Sequence, residues 1–304
     1  MRMHVVVTGA SGGIGRRIVA ALIARGDTVT ALSRSPERTS ESLGVPAIAW
    51  DPMAEPAPAE PLAQADAVIH LAGEPVSQRW NDEVKRKVRA SREIGTRNLV
   101  AGIGALPDGD RPNVLVSASA TGYYGNRGDE PLTEASSAGD DFLAGVCVAW
   151  EHEVAAVAEY GVRHCSLRNG LVLDRDSGAL KKMLPAFKLG VGGPVAGGAQ
   201  YVPWIHVDDL VALYLWAADH EDWSGVYNAT GPEPVTNKVF SHAIGKALRR
   251  PAFAPVPGFV VKGLFGEMAD LVIDSQRAIP ERSLASGWVP QHTTASAALG
   301  DLLR

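Results

Sequence analysis

Short apolar runs alternate with longer amphipathic stretches through the first part of the chain. The apolar runs predict strands at His4 to Thr8, Thr28 to Leu32, Ala47 to Trp50, Ala67 to Leu71, Val114 to Ser117 and Val162 to Arg168. Helical spacing is clearest at Gly13 to Ala24, Glu83 to Ile103, Phe142 to Glu159 and Asp208 to Ala218. Strands that alternate with helices are typical of a parallel sheet covered on both faces. The pattern therefore predicts an α/β fold with a doubly wound parallel sheet of about seven strands.

The regular alternation fades after Gly170. A glycine-rich stretch, GVGGPVAGGAQ, occupies residues 190–200, and prolines punctuate the tail from Gly231 onward. We therefore predict a nucleotide-binding domain of residues 1–170 and 204–230. Residues 171–203 and 231–304 would form a smaller mixed C-terminal lobe that closes over the strand ends and lines a substrate cleft.

Composition narrows the class of protein. The chain has 304 residues, of which 46% are hydrophobic, so it can bury a full core. A net charge of -5 provides no basic field for nucleic acid. No apolar run is long enough for a membrane span or a signal peptide. Two cysteines cannot form a disulfide framework or a zinc site, so we expect a cytoplasmic protein.

Histidines and acids show no metal-ligand spacing, so we predict no metal site. His206, in the segment WIHVDD, is interpreted as a partly buried structural side chain. Asp208 and Asp209 precede an apolar helix, and they are interpreted as its N-cap and first-turn residues.

The strongest motif is TGASGGIG at residues 8–15, between the first strand and the first helix. Gly9 permits a tight turn, Gly12 lets main-chain amides approach a pyrophosphate, and Gly15 allows the helix to pack closely on the sheet. The N-terminus of the helix would face the anion. The motif and its context predict a Rossmann-like dinucleotide site.

The second strand indicates which dinucleotide binds. NAD-specific folds place an acid about 20 residues beyond the glycines, where it binds the ribose hydroxyls. Here the strand ends at Ser33 and Arg34, without a carboxylate. A guanidinium can clamp a 2′-phosphate that an acid would repel, so Arg34 favours NADP. The alternative is an exposed turn arginine without a ligand.

Five segments carry a resemblance to a known superfamily: TGASGGIG, HLAGEP (70–75), SASATGYYG (117–125), LRNGLVL (167–173) and WIHVDDL (204–210). Together they resemble the extended or atypical short-chain dehydrogenases/reductases. More narrowly, the chain is similar to NAD-dependent epimerase/dehydratase-like proteins, loosely labelled nucleoside-diphosphate-sugar epimerases, that end in a C-terminal domain of unknown function. The resemblance implies a small-molecule substrate and, by analogy, a homodimer formed through two long helices.

The resemblance also assigns roles to positions. It implies a pyrophosphate loop of Gly9, Ser11, Gly12, Gly13, Ile14 and Gly15. It implies a 2′-phosphate pocket at Ser33 and Arg34, an adenine contact at Asp51, and a segment under the nicotinamide ribose at Leu71, Ala72 and Gly73. The turn at Arg168, Asn169 and Gly170 would pass the nicotinamide, and Ser119 matches the catalytic serine.

The chain departs from the family at the catalytic dyad. Anchored on Glu151, which matches a glutamate one turn beyond the family's lysine, the expected Tyr-x-x-x-Lys falls on Leu143 and Cys147. Neither residue can replace the dyad directly. Cys147 is interpreted as a buried structural thiol, with a nucleophile as the alternative.

Other titratable residues lie near the expected nicotinamide. Tyr123 and Glu74 are the candidate acid and base beside Ser119, although Glu74 is equally interpreted as a helix-cap acid. Tyr124 is interpreted as a packing residue.

Two functions follow from these positions. The first is an NADP-binding, epimerase-like oxidoreductase that acts on an unidentified carbonyl or nucleotide-sugar-like substrate. The alternative, which the missing dyad favours, is a non-catalytic NADP-binding sensor or scaffold.

Overall fold

The computed structural model describes residues 2–304, and its centre is a seven-stranded parallel sheet. The strands are β1 (His4–Thr8), β2 (Thr28–Ser33), β3 (Ala47–Ala49), β4 (Ala67–His70), β5 (Val114–Ala120), β6 (Pro131–Leu132), β7 (Arg163–Asn169), β8 (Leu171–Leu173), β9 (Tyr201–Val202), β10 (Trp204–His206), β11 (Gly225–Ala229), β12 (Val235–Thr236) and β13 (Arg277–Ala278). The sheet has the order β3-β2-β1-β4-β5-β7-β11. The chain reverses its direction of winding between β1 and β4, and this switch point opens a crevice at the carboxyl ends of the strands.

The helices are α1 (Gly13–Arg25), α2 (Pro36–Leu43), α3 (Ala59–Ala63), α4 (Asp82–Gly104), α5 (Phe142–Ala155), α6 (Gly178–Lys188), α7 (Val207–Asp219), α8 (Asn237–Leu248), α9 (Gly258–Phe265), α10 (Asp270–Ile273), α11 (Glu281–Ala285) and α12 (Ala295–Leu303). Within residues 2–304 no helix combines the length and the hydropathy that a membrane span requires.

The sequence of β1 contains an unbroken apolar run because the strand lies in the core of the sheet. Val5, Val6 and Val7 are all fully buried, because helices cover both faces of a parallel sheet. The side chains of Ile18 and Leu22 on α1 are buried in the same core. Gly26 ends α1 in the left-handed conformation, with a φ of 90°, which favours glycine.

The predicted doubly wound α/β class is confirmed, and the six predicted strands are present, β1 with the predicted ends and the other five with shifted ends. β5 runs three residues further than predicted, to Ala120, and so carries Ser119 inside the strand. The seventh strand, β11, was not located from the sequence, because GVYNA begins with glycine and includes a polar asparagine. Helix α5 ends at Ala155, and the rest of its predicted length is a 3-10 turn over Ala156–Tyr160.

The start of α7 differs from the prediction. The N-cap is His206, whose Nδ1 accepts the N–H of Asp208 at 3.1 Å, so the interpretation of Asp208 as the cap is wrong. Asp209 lies in the first turn, as expected, but its carboxylate binds elsewhere. It accepts the N–H groups of Gln291 and His292 and so fastens the C-terminal segment to α7.

A second hydrophobic cluster lies outside the sheet. It combines residues from α6 and the short strands β8 to β10 with residues from α8 and α12. Its buried members are Leu173, Leu180, Leu184, Phe187, Val202, Trp204, Phe240, Ile244, Ala252, Ala295, Ala298 and Leu299. The division of the chain into two domains at the predicted boundaries stays a prediction.

Candidate functional site

The glycine loop between β1 and α1 forms a cradle at the carboxyl edge of the sheet. Gly9 has a φ of 69°, and an added Cβ would stand 2.8 Å from the main chain of Leu71 and Ala72. A Cβ on Gly15 would stand 2.3 Å from the carbonyl oxygen of Gly9. Neither position accepts a side chain without displacing main chain. The N-cap of α1 is Gly12, which has no side chain to cap the helix, so the first N–H groups of α1 are available to an anion.

The ends of β1 and β4 are tied together beside this loop. Thr8 Oγ1 accepts the N–H groups of Leu71 and Ala72, each at 3.2 Å, and lies 2.7 Å from His70 Nδ1. The threonine proton therefore points to His70 Nδ1, and His70 Nε2 donates to Thr96 Oγ1 at 3.1 Å. Burial lowers the pKa of His70 to about 4, so this histidine is a neutral link between strands.

The end of β2 carries a serine and an arginine in place of an acid. Ser33 Oγ bonds Thr39 Oγ1 at 2.8 Å and accepts the N–H of Ser35 at 3.1 Å, which closes the turn into α2. Arg34 is exposed, and no carboxylate of residues 2–304 pairs with its guanidinium. Asp51 is also exposed, just beyond β3. The Arg34 guanidinium is therefore available to an anionic ligand.

Ser119 belongs to a charged network with Glu151 of α5 and Arg168 of β7. Ser119 and Arg168 are partners in the parallel register of β5 and β7. Ser119 Oγ donates to Glu151 Oε1 at 2.6 Å, and the Arg168 guanidinium donates to both carboxylate oxygens of Glu151 at 2.8 Å. Arg168 is 3% exposed, so the ion pair is buried. The pair fixes the Glu151 carboxylate in one orientation, facing the Ser119 hydroxyl.

Two tyrosines pack against the same guanidinium. Cζ of Arg168 lies 3.3 Å from the centroid of the half-buried Tyr123 ring, and Nη1 donates to the Tyr124 hydroxyl at 3.0 Å. The buried Tyr124 hydroxyl donates to Asn228 Oδ1 at 2.7 Å, and burial raises its pKa to about 12. Tyr124 therefore has a structural position, whereas Tyr123 is joined to Ser119 through Arg168 and Glu151.

Helix α5 presents no proton donor where the family's dyad would lie. A Cβ on Gly122, in the turn after β5, would lie 3.5 Å from Leu143 Cβ and 4.0 Å from Cys147 Sγ. Cys147 is buried, and burial, followed by the charge of Glu151, raises the pKa of its thiol to about 12. A thiol that stays protonated is a poor nucleophile. Cys147 therefore packs as a small apolar side chain.

A further cation, Arg92 of α4, lies between α5 and the segment after β4. Its Nη1 donates to the carbonyl oxygens of Glu74 and Val88, at 3.0 and 3.1 Å. Its Cζ lies 5.0 Å from the centroid of the Trp150 ring on α5 and 3.4 Å from the place of a Cβ on Gly73. Arg92 therefore packs directly on the segment that the resemblance places under the nicotinamide ribose.

Glu74 is bonded within its own loop. Its N–H donates to Ser91 Oγ at 2.9 Å, and its Oε1 accepts from Gln78 Nε2 at 2.9 Å. The hydrogen bonds described within residues 2–304 do not join Glu74 to Ser119. A catalytic role for Glu74 stays a prediction.

The loop after β8 approaches the glycine loop, whereas the turn after β7 packs on the segment before β10. A Cβ on Gly170 would stand 2.0 Å from the carbonyl oxygen of Pro203, so main chain, not a ligand, excludes a side chain there. Ser177 lies against the glycine loop, since a Cβ on Gly13 would stand 2.2 Å from its Oγ. The Arg168 guanidinium contacts protein groups, so its predicted cofactor contact falls to the main chain and stays a prediction.

A second titratable cluster lies at the start of α7. The His206 and His292 rings stack with centroids 3.7 Å apart, and one ligand atom from each of His206, His292 and Asp301 lies within 4.8 Å of the others. His206 Nδ1 accepts the N–H of Asp208, so the ring proton is on Nε2, and Nε2 has no lone pair to offer a metal ion. His292 bonds Asp209 at 3.1 Å. The arrangement favours a hydrogen-bonded tie over a metal site.

Sequence reasoning missed three residues of the site. Glu151 served there only to align the helix, although its spacing of one turn from Cys147 puts it on the same face of α5. Arg92 and Ser177 carry no local signal, because their neighbours come from α5 and from the glycine loop, which are distant in sequence.

Comparisons with known proteins match nearly the whole length of the chain. The NAD dependent epimerase/dehydratase family matches residues 5–230, and a domain of unknown function (DUF1731) matches residues 256–302. The chloroplastic epimerase family protein SDR39U1 homolog of Arabidopsis thaliana is 40% identical over 94% of this chain and 83% of its own. The human epimerase family protein SDR39U1 is 36% identical over 99% of this chain and 100% of its own. A crystal structure of human SDR39U1 (isoform2) with NADPH has a TM-score of 0.88 at 34% identity, and the match covers 99% of both chains.

Proposed function

Because the chain belongs to the NAD dependent epimerase/dehydratase family, we propose that it is an NADP-dependent, epimerase-like oxidoreductase. Its substrate would be a carbonyl compound or a nucleotide-sugar-like molecule. The observation that carries the proposal is the exposed Arg34 guanidinium at the end of β2, the strand that pairs with β1, together with the glycine cradle after β1, which leaves no room for side chains at Gly9 and Gly15.

The residues present fit this cofactor. The uncapped first turn of α1 offers N–H groups to a pyrophosphate, and Gly9 and Gly15 let the main chain close around it. Arg34 offers paired, charge-assisted hydrogen bonds to a 2′-phosphate, and Ser33 adds no negative charge. The NADPH in the crystal structure of the human relative supports the same choice.

The proton chemistry falls to Ser119 and Glu151. NADP, when bound, carries the hydride. Ser119 Oγ holds the substrate oxygen: when a substrate hydroxyl is oxidised, Ser119 takes its proton and passes its own proton to the Glu151 carboxylate, to which it is hydrogen-bonded, and the same proton returns when the carbonyl is reduced again. Arg168 keeps the carboxylate oriented, and Tyr123 packs on Arg168 and fixes it from the other side. This relay would replace the tyrosine that Leu143 does not provide.

The first experiment tests the cofactor. The protein should bind NADPH at least about tenfold more tightly than NADH, because only NADPH carries the phosphate that Arg34 can bind. Arg34→Ala should erase most of that preference when both affinities are measured by calorimetry. The matched control is Arg250→Ala, which removes an exposed arginine just beyond α8 and should keep the preference. Equal affinities of the unaltered protein for both cofactors would contradict the proposal.

The second experiment separates an enzyme from a non-catalytic sensor, the alternative that Leu143 and Cys147 favour. The purified protein is screened against carbonyl compounds and nucleotide sugars, while nicotinamide absorbance and product stereochemistry are followed. Consumption of bound NADPH or inversion of a sugar centre supports the enzyme. Tight NADPH binding with no turnover of either substrate class supports the sensor.

A further inference from the structure

Arg92 is a cation set into the protein without an acidic partner. No carboxylate within residues 2–304 lies at ion-pairing distance from its guanidinium, whose Nη1 binds two main-chain oxygens, those of Glu74 and Val88. Nη1 also donates to Ser91 Oγ at 3.5 Å, so all the described hydrogen bonds of this half-buried side chain come from Nη1 and leave the N–H groups on Nε and Nη2 to a ligand. A guanidinium that is partly withdrawn from water gains from a polar ligand on its unpaired N–H groups. Sites with this property are candidates for ligand binding.

The fold places Arg92 on the nicotinamide side of the crevice. A doubly wound sheet binds the two halves of a dinucleotide on either side of the switch point, with the pyrophosphate at the glycine loop. Gly9 lies directly against Leu71 and Ala72. The segment after β4 is therefore the first surface that the cofactor would contact beyond its pyrophosphate. Arg92 packs on the next residue, Gly73.

Arg92 also lies beside the position that lacks a charge. Its guanidinium lies over the Trp150 ring of α5, and its charge acts on the Cys147 thiol, which occupies the place of the family's lysine. Helix α5 supplies no cation there, whereas Arg92 of α4 lies close enough for its charge to act on that position.

We propose that Arg92 binds the nicotinamide-side ribose of the cofactor through Nε and Nη2, and thus supplies from α4 the hydrogen-bonding cation that α5 lacks. The ribose hydroxyl oxygens accept these hydrogen bonds. The inference rests on the proposed function, since it requires a bound nicotinamide dinucleotide.

The test compares two ligands that differ on the nicotinamide side. Adenosine 2′,5′-bisphosphate carries the adenosine and the 2′-phosphate but lacks the nicotinamide ribose, whereas NADPH carries both halves. In calorimetry, Arg92→Met should weaken NADPH binding about tenfold or more, because a charged hydrogen bond is lost. It should leave the affinity for adenosine 2′,5′-bisphosphate within about twofold. Arg92→Lys should restore part of the NADPH affinity, since it keeps the charge.

Arg89→Met is the matched control. Arg89 lies on the exposed face of the same helix, where it pairs with Glu93, so the variant removes the same charge without touching the crevice. It should bind both ligands as the unaltered protein does. Unchanged NADPH affinity in Arg92→Met would overturn the inference, and so would an equal loss for both ligands, which would assign Arg92 to packing. Failure of the unaltered protein to bind NADPH would overturn the proposed function itself.

Discussion

At the scale of single residues, Glu151 is the point on which the charges of the site converge. It accepts hydrogen bonds from Ser119 Oγ and from Nε and Nη2 of Arg168. A carboxylate held in this way cannot turn toward solvent, so its effect is directed at the serine hydroxyl. The consequence is a serine whose proton has a fixed acceptor, which is an arrangement suited to proton transfer.

Ser119→Ala should therefore abolish most turnover of any identified substrate while leaving NADPH bound. The change removes the hydroxyl that would hold the substrate oxygen, so the rate should fall by about 10²-fold or more. Steady-state kinetics and calorimetry on one protein sample separate the two effects. Cys147→Ser, the matched control, should keep its rate, because burial holds the thiol protonated. An inactive Cys147→Ser beside an active Ser119→Ala would assign the chemistry to the thiol.

His70 should make the protein sensitive to acid. Its pKa falls from 6.5 to about 4 on burial, so between these values the unfolded chain binds a proton that the native protein does not. The free energy of unfolding should drop by about 3 kcal/mol as pH falls across this window, and His70 should add no further loss below it. In urea unfolding, the free energy of unfolding of His70→Asn should not show this part of the dependence on pH. His242→Asn, which removes an exposed histidine of α8, should keep the full slope.

At the scale of elements, the local sequence pattern was enough to predict a strand where both faces of that strand are buried. β1 begins and ends where its apolar run does, because its three valines fill the sheet core. β11 was not predicted, because its own composition does not indicate a strand. It is a strand because it pairs with β7. The extension of β5 to Ala120 has the same cause, since Ala120 pairs with Asn169.

The candidate site shows the same limit. The glycine loop could be predicted, because the residues that form a phosphate-binding loop are consecutive in the sequence. Arg92 could not, because its significance comes from Gly73 and Trp150, which only the folded chain brings to it. Asp208 was taken for a cap because aspartate is common there, but the side chain of His206 reaches the same N–H first.

Asp209 should control how firmly the C-terminal segment is attached to α7. It is 2% exposed and accepts the N–H groups of Gln291 and His292 at 2.7 and 3.0 Å. Asp209→Asn replaces one acceptor oxygen with a donor facing those groups, so the free energy of unfolding should fall by about 2 kcal/mol in urea titrations. Asp208→Asn, a change at the exposed neighbouring carboxylate, should cost far less. Equal losses in the two variants would show that the tie is not specific to Asp209.

At the scale of the whole molecule, the second hydrophobic cluster joins parts of the chain that are far apart in sequence. Leu173, Leu180 and Trp204 lie before residue 231, and Phe240, Ile244 and Leu299 lie after it. Neither group buries its apolar surface without the other. The C-terminal segment therefore depends on contacts with the preceding chain, as the binding of residues 291 and 292 by α7 also shows.

A fragment of residues 231–304 should therefore be unfolded. Six of the 12 buried residues of the second cluster, from Leu173 to Trp204, are missing from it, and so is Asp209. What remains is a short chain with an incomplete core, and chains of this size rarely fold without a full core or a staple. Circular dichroism should show no cooperative thermal transition in the fragment, whereas the full chain should show one. A cooperative transition in the isolated fragment would mean that α8 and α12 form a core of their own, and that the contacts with α6 and β8 are an interface between two folded units.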